Sequence, residues 1–150
     1  MSVSAAEATK PGAVAEAEDF VRRFAEAWAS PDPDGLAALV HPDAELIQPL
    51  MPALKSREEW REAVRGLVEL MPDLRGEVRE WSASGGIVFI EMTLKGTLAW
   101  RPFEWSLVDR IVLEDGLVRS RVSYFDSAPL GLEILKRPSR LFALLRLRRR

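Results

Sequence analysis

Two carboxylates and one phenol near the C-terminal end carry most of the chemistry this sequence offers. Asp109 lies inside an alternating run, residues 105–114, where an acid is out of place, and Tyr124 and Asp126 close the run that follows. Between the two runs stands Glu114-Asp115-Gly116, and Asp-Gly between alternating apolar stretches is a strong β-hairpin signal. Strand alternation puts Asp109 in phase with Trp105, Leu107, Ile111 and Leu113. The same rule puts Asp126 in phase with Val118, Ser120, Val122 and Tyr124, which leaves Arg119, Arg121, Ser123 and Phe125 as the wetter side of the last strand. A carboxylate among apolar neighbours must be hydrogen-bonded, paired or protonated. Desolvation raises its pKa, and a raised pKa makes a carboxylic acid useful for proton transfer near neutral pH. The plainer alternatives are an Asp109 paired with a neighbouring Arg or lying at a solvated edge, and an Asp126 in solvent at a strand end.

The elements that must position these groups precede them. A helix is expected from Ala13 to about Ala29, with Phe20, Val21, Phe24 and Trp28 at helical spacing. Ser30-Pro31-Asp32-Pro33 ends it, and Asp34 can cap a short helix from Gly35 to Val40. His41-Pro42-Asp43 reads as a surface turn and Ala44 to Leu50 as a short strand, which Pro49 places near an edge or a bulge. Ser56-Arg57-Glu58-Glu59 is a capping box opening a helix that carries Trp60, Ala63, Val64, Leu67, Leu70 and Met71 on one side. Four strands follow, at about 74–83, 86–98, 103–114 and 117–126, with turns at Ser84-Gly85-Gly86, Arg101-Pro102 and Asp115-Gly116. Short connections imply an antiparallel meander. Helices first and strands later read as α+β, helices packed on one face of a curved antiparallel sheet.

Length and composition bound the rest. A chain of 150 residues, 47% hydrophobic and 29% charged, fits one soluble domain with a real core. There is no cysteine and one histidine, so thiol chemistry and a histidine-cluster metal site are excluded. No apolar run reaches the roughly 18 residues of a membrane span, and Met1 to Pro11 lacks the apolar core of a signal peptide, so the expected location is cytoplasmic. The net charge of −2 divides into −9 over residues 1–135 and +7 over residues 136–150. An acidic body argues against nucleic-acid binding. The expected organisation is a disordered tail at 1–12, a domain at 13–135 and a basic amphipathic tail at 136–150, where Ser139 can cap a last helix. Cations interleaved with Leu and Phe there fit weak contact with an anionic membrane, or else a frayed terminus or packing arm.

Several residues carry two readings. Gln48 on an apolar strand face could orient a ligand or be a structural amide. Phe24 and Trp28 could line a pocket or fill a core. Trp60 and Trp81 read as core, and Glu91 as solvent-facing.

Four stretches, taken in order, resemble the nuclear transport factor 2-like superfamily and its SnoaL-like branch. They are Phe24-Ala25-Glu26-Ala27-Trp28 leading into residues 32–40, His41 to Glu45, the helix after Ser56, and Val108-Asp109 with Asp115-Gly116 and Tyr124-Phe125-Asp126. The resemblance implies a cone of curved antiparallel sheet wrapped on helices, with a pocket in its mouth and a homodimer formed through the outer face of the sheet. Against ketosteroid isomerases only the sheet acid matches, at Asp109: Phe24 stands at the Tyr position and Gln48 at the position of the base. Against limonene-epoxide-type hydrolases, Leu46 and Gln48 stand where Tyr and Asn hold the water, and Ile90 to Thr93 supply neither the Arg nor the first Asp. Against SnoaL-type cyclases Asp126 matches the acid/base at the end of the last strand, and Lys95-Gly96-Thr97 lacks the His.

The expectation from residues and resemblance together is an apolar pocket that binds a hydrophobic small molecule and performs cofactor-free acid/base chemistry. Asp109, Asp126 and Tyr124 would do the chemistry, and Phe24, Trp28, Gln48, Trp105 and Ile111 would hold the ligand. The alternative is a binding or interaction module of the same fold without chemistry.

Overall fold

The structure, a computed structural model, describes residues 11–135. The basic tail at 136–150 with its membrane reading, and residues 1–10, lie outside the described residues. In chain order the elements are α1 (Pro11–Ala29), α2 (Pro33–Ala37), β1 (Val40–Ile47), α3 (Arg57–Leu70), β2 (Arg75–Ser84), β3 (Ile87–Leu98), β4 (Arg101–Glu114), β5 (Leu117–Tyr124) and α4 (Ala128–Leu135).

One five-stranded sheet runs β1-β5-β4-β3-β2. The last four strands form the expected antiparallel meander. The sheet as a whole is mixed, however, because β1 pairs parallel to β5. A helix and two loops separate β1 from β2, so β1 is free to take the far edge beside the last strand; a parallel pair needs such a long connection.

The helices lie over the inner face. Phe20, Phe24 and Trp28 of α1 and Trp60 and Val64 of α3 are buried against Val88, Ile90, Met92, Leu107 and Ile111 of the sheet. Gly76 on β2 permits this approach, since a Cβ there would come within 2.9 Å of the Trp28 Cβ. The β4–β5 turn is tied to α1 by two hydrogen bonds, Arg23 Nη2 to the Gly116 carbonyl at 2.8 Å and the Gly116 N–H to Glu16 Oε1 at 3.0 Å.

Local chemistry moves several boundaries. The cap of α2 is Asp32, whose side chain accepts from the N–H groups of Asp34 and Gly35; with Pro33 at the first helical position, the helix opens before Asp34 can cap it. His41-Pro42-Asp43 is strand rather than turn, and sits where the β1–β5 register slips between Val40 and Glu45. Such a bulge admits a Pro that a regular ladder would refuse. Ser56 accepts from the Glu59 N–H as a capping box requires, and the Glu59 carboxylate reaches back one residue further, to the Lys55 N–H.

The β3–β4 turn is at Ala99-Trp100, both left-handed, two residues before the expected Arg101-Pro102. Pro102 stays in β4 because that strand runs past the end of β5, and its β3 partner Thr97 gives its N–H to Asp73. Trp81 is half exposed on edge strand β2 rather than core. Helix α4 is unannounced in the sequence, where Pro129 and Gly131 argue against it; Asp126 starts it by accepting the Ala128 N–H.

Candidate active site

The inner face around Asp109 is built by one irregularity in β5. The tight turn sets Glu114 opposite Leu117 and Leu113 opposite Val118, and then the register shifts so that Val112 faces Ser120 and Asp109 faces Ser123. Arg119 is the extra residue of this bulge. An unbulged hairpin would have put Val122 against Asp109. The bulge also exchanges the faces of β5 beyond it, since side-chain period is two. Val118 is buried before the bulge, and Arg121 and Ser123 are buried after it, with Phe125 packed against the core.

The expected phase of the last strand is therefore corrected. Arg121 and Ser123 point inward beside Asp109. Tyr124 is 56% exposed on the outer side, paired with Val108, and Asp126 is exposed beyond the strand end at the start of α4. Alternation alone could not find this, because no Gly or Pro marks the bulge. The one available signal was Asp109 itself: a buried carboxylate needs a partner, and the unbulged register offers it only Val122.

Asp109 is 2% exposed, and its Oδ1 accepts from the Ser123 hydroxyl. Arg121 is 6% exposed. Its Nη2 donates to Gln48 Oε1 at 2.6 Å, and its guanidinium lies 4.4 Å from the centre of the Trp60 ring. Its Nε–H has no hydrogen-bond partner among the described residues. The charges of Asp109 and Arg121 act on each other, yet no ion pair within 4.0 Å joins them. Burial pushes the Asp109 carboxyl above its ordinary value, against the opposing pull of Arg121 and of the Ser123 hydroxyl. Burial also draws the Arg121 guanidinium down while the Asp109 charge acts the other way; a guanidinium stays charged across the physiological range all the same. The arrangement is a buried acid held toward its neutral form, with a fixed cation close enough to stabilise the carboxylate it becomes on giving up its proton.

Gln48 thus belongs to the cluster through Arg121, and its Nε2 faces the Met51 sulfur at 3.5 Å. Ile111 is fully buried two positions along β4 from Asp109. Phe24 and Trp28 are buried in a tilted aromatic row, with ring centres 5.8 Å apart for Phe20–Phe24, 6.2 Å for Phe24–Trp28 and 6.4 Å for Trp28–Trp60. The row ends on Arg121. Trp105 is half-buried against Phe103 at 5.3 Å. A separate small cleft of about 50 Å³, lined by Ala13, Glu16, Ala17, Ala83, Gly86, Val88 and Leu113, lies at the start of α1, away from Asp109. It is far below the roughly 300 Å³ at which ligand pockets begin, so the cluster with its buried titratable groups is the better candidate. Among the described residues no group of three or more His, Cys, Asp or Glu is placed to hold a metal ion.

The raised Asp109 pKa has a consequence for stability. The unfolded chain titrates at the ordinary carboxylate value and the native state above it, so the native state holds the proton more tightly. That stability is fully present below the unfolded pKa and is lost as pH rises through the native one. Asp109→Asn cannot ionise. Unfolding free energies from urea titrations across pH 3–8 are expected to fall in the wild type relative to Asp109→Asn as pH rises. Asp73 and Glu77, whose pKa values are lowered, act with the opposite sign but equally in both proteins. Parallel profiles for the two proteins would contradict the buried-acid assignment.

No curated protein sequence matches the chain. Solved structures do. A candidate SnoaL-like polyketide cyclase from Jannaschia sp. CCS1 superposes with a TM-score of 0.71 at 18% identity, over 85% of this chain and 96% of that one. An LEH-like epoxide hydrolase of M. tuberculosis superposes at 0.67 and 17% identity over 85% and 96%. TerC co-crystallised with polyporic acid superposes at 0.70 and 18% identity over 79% and 98%. At such identities the likeness is one of fold, N-terminal helices with a curved, unclosed mixed sheet as in the nuclear transport factor 2-like proteins. The family model of the SnoaL-like domain matches residues 21–121, and the chain belongs to that family.

Proposed function

We propose that this protein binds a hydrophobic small molecule against the inner face of its sheet, in the cytoplasm, and performs cofactor-free acid–base chemistry on it, with Asp109 as the proton-transfer group. The observation that carries the reading is an aspartate only 2% exposed, its carboxyl held above its ordinary pKa and hydrogen-bonded by Ser123. In the forward step Asp109 gives its proton to an oxygen of the substrate. The carboxylate left behind is stabilised by the Ser123 hydroxyl and by the charge of Arg121, and Asp109 regains a proton from the product or from water. Trp28 and Trp60 supply the apolar wall nearest Arg121, and Phe24, Trp105 and Ile111 extend it. Tyr124 and Asp126 take no part in this proposed step, since Tyr124 lies on the outer side of the sheet and Asp126 is exposed beyond the strand end, where it accepts the Ala128 N–H. The names carried by similar folds, a cyclase and an epoxide hydrolase among them, support small-molecule chemistry as the class and no single reaction.

A second reading, a binding module without chemistry, is favoured by the aromatic row, which fills the space a large ligand would need. The two readings part on one variant. In a thermal-shift panel of polycyclic ketones, epoxides and fatty acids, a ligand that stabilises the wild type is expected to weaken in Trp28→Ala and to persist in Asp109→Asn. Turnover of that ligand in Asp109→Asn is expected to fall by about 100-fold or more, the range of a lost general acid. Undiminished turnover would remove Asp109 from the chemistry.

We also place a second copy of the chain against the outer face of the sheet. Tyr124 of β5, Val108 of β4 and Phe89 of β3 are exposed apolar residues on that face, joined there by Ile47 of β1, and Glu91 and Arg110 are the charges beside them. A charge buried without a partner at such a face is costly, so Val108→Glu is expected to sediment as a monomer where the wild type sediments as a dimer. A monomeric wild type would overturn the placement.

A further inference from the structure

Arg121 is held on two sides and unmatched on a third. One edge of its guanidinium donates to Gln48, its central carbon lies over the Trp60 ring, and its Nε–H, buried with the rest of the side chain, has no acceptor among the described residues. The acceptor it does have is a neutral amide. Asp109 is the acid on the same face, and it spends its Oδ1 on Ser123 and stays outside ion-pair distance of the guanidinium. A buried cation without an adjacent anion is an expensive arrangement, and so is a buried N–H without an acceptor. Both costs fall on the same group, and one ligand oxygen of negative charge would remove both. Its geometry also suits an anion, because a guanidinium presents its donors as a planar fork that matches two oxygens of a carboxylate. Trp60 against it, and Trp28 6.4 Å from Trp60, put aromatic rings beside the guanidinium, where the body of the same molecule would pack once they give way.

We infer that Arg121 anchors the ligand through an acidic oxygen, and that the inner-face site takes a small aromatic or alicyclic molecule bearing a carboxylate or an enolate. The inference rests on the inner-face binding reading given above and names the substrate class for it. Arg121 fixes the acidic end, the aromatic row takes the ring, and Asp109 is left facing the part of the molecule between them. An uncharged molecule of the same shape would leave the cation unmatched and would bind more weakly.

The test uses the full chain labelled with nitrogen-15 and two probes of nearly equal shape, sodium benzoate and benzyl alcohol. The Arg121 Nε–H resonance is identified by its loss in Arg121→Lys, a variant that keeps the charge and removes the fork. Benzoate is expected to shift that resonance saturably and to bind at least about tenfold more tightly than benzyl alcohol, a difference of about 1.4 kcal/mol. In Arg121→Lys, benzoate affinity is expected to fall about fivefold or more, and by more than benzyl alcohol affinity; if that variant does not fold, the comparison of the two probes in the wild type decides. An Nε–H that benzoate leaves unmoved, or equal affinity for both probes, overturns the anchor. If benzyl alcohol then still moves the indole N–H resonances of Trp28 and Trp60, the pocket reading stands and the anchor alone fails. If neither probe moves any of these resonances, the pocket reading falls together with the anchor.

Discussion

One extra residue in β5 decides what the inner face of this sheet can do. Without the bulge at Arg119, Asp109 would face Val122, and its carboxyl would be buried with no partner across the strand pair. Arg121 and Ser123 would then point to the outer side. With the bulge, Ser123 comes directly opposite Asp109 and Arg121 turns in two residues before it. A buried acid, the hydroxyl that holds it and the cation that acts on it are therefore brought together by one backbone feature. The shift is kept in place from its turn end as well, where Glu16 and Arg23 of α1 grip Gly116.

The helices make that cluster consequential by keeping it dry. Trp60 rises from a helix whose start is fixed by Ser56 and Glu59, and its ring lies under the Arg121 guanidinium. Trp28 and Phe24 continue the apolar cover along α1, and Gly76 lets α1 settle onto β2. Removing water in this way strengthens the electrostatic coupling between Asp109 and Arg121 and raises the cost of leaving either unmatched. The acid–base role and the ligand preference proposed for this site both rest on that low-dielectric setting rather than on any one side chain.

Much of the architecture was legible in the sequence because it rests on periodicity and turn chemistry. Asp115-Gly116 marked its hairpin, Ser56 and Glu59 marked the start of α3, and the alternation from Trp105 to Leu113 placed Asp109 on the buried face. What was not legible depends on interactions far apart in the chain. The parallel pairing of β1 with β5 has no local sign, since any edge strand with a long connection could take that place. The bulge carries no glycine or proline, so straightforward alternation assigned Tyr124 and Asp126 to the inside and Arg121 and Ser123 to the outside, the reverse of what is found. Arg121 was the most misleading residue, because a buried arginine is rare enough that its type argues for solvent. It goes inside here because Gln48 and Trp60, each distant in sequence, meet it there.

The central claim is that Asp109 is a buried acid held toward its neutral form beside a fixed cation. Its side-chain carboxyl carbon can be followed by carbon-13 NMR through a pH titration of the full chain, with the signal identified by its absence in Asp109→Asn. A midpoint above the ordinary aspartate value, about 3.9, is expected, with a further rise when benzoate occupies Arg121, since a second negative charge nearby disfavours ionisation. A midpoint at or below the ordinary value would mean that Asp109 is simply the counter-ion of Arg121, and would contradict the account.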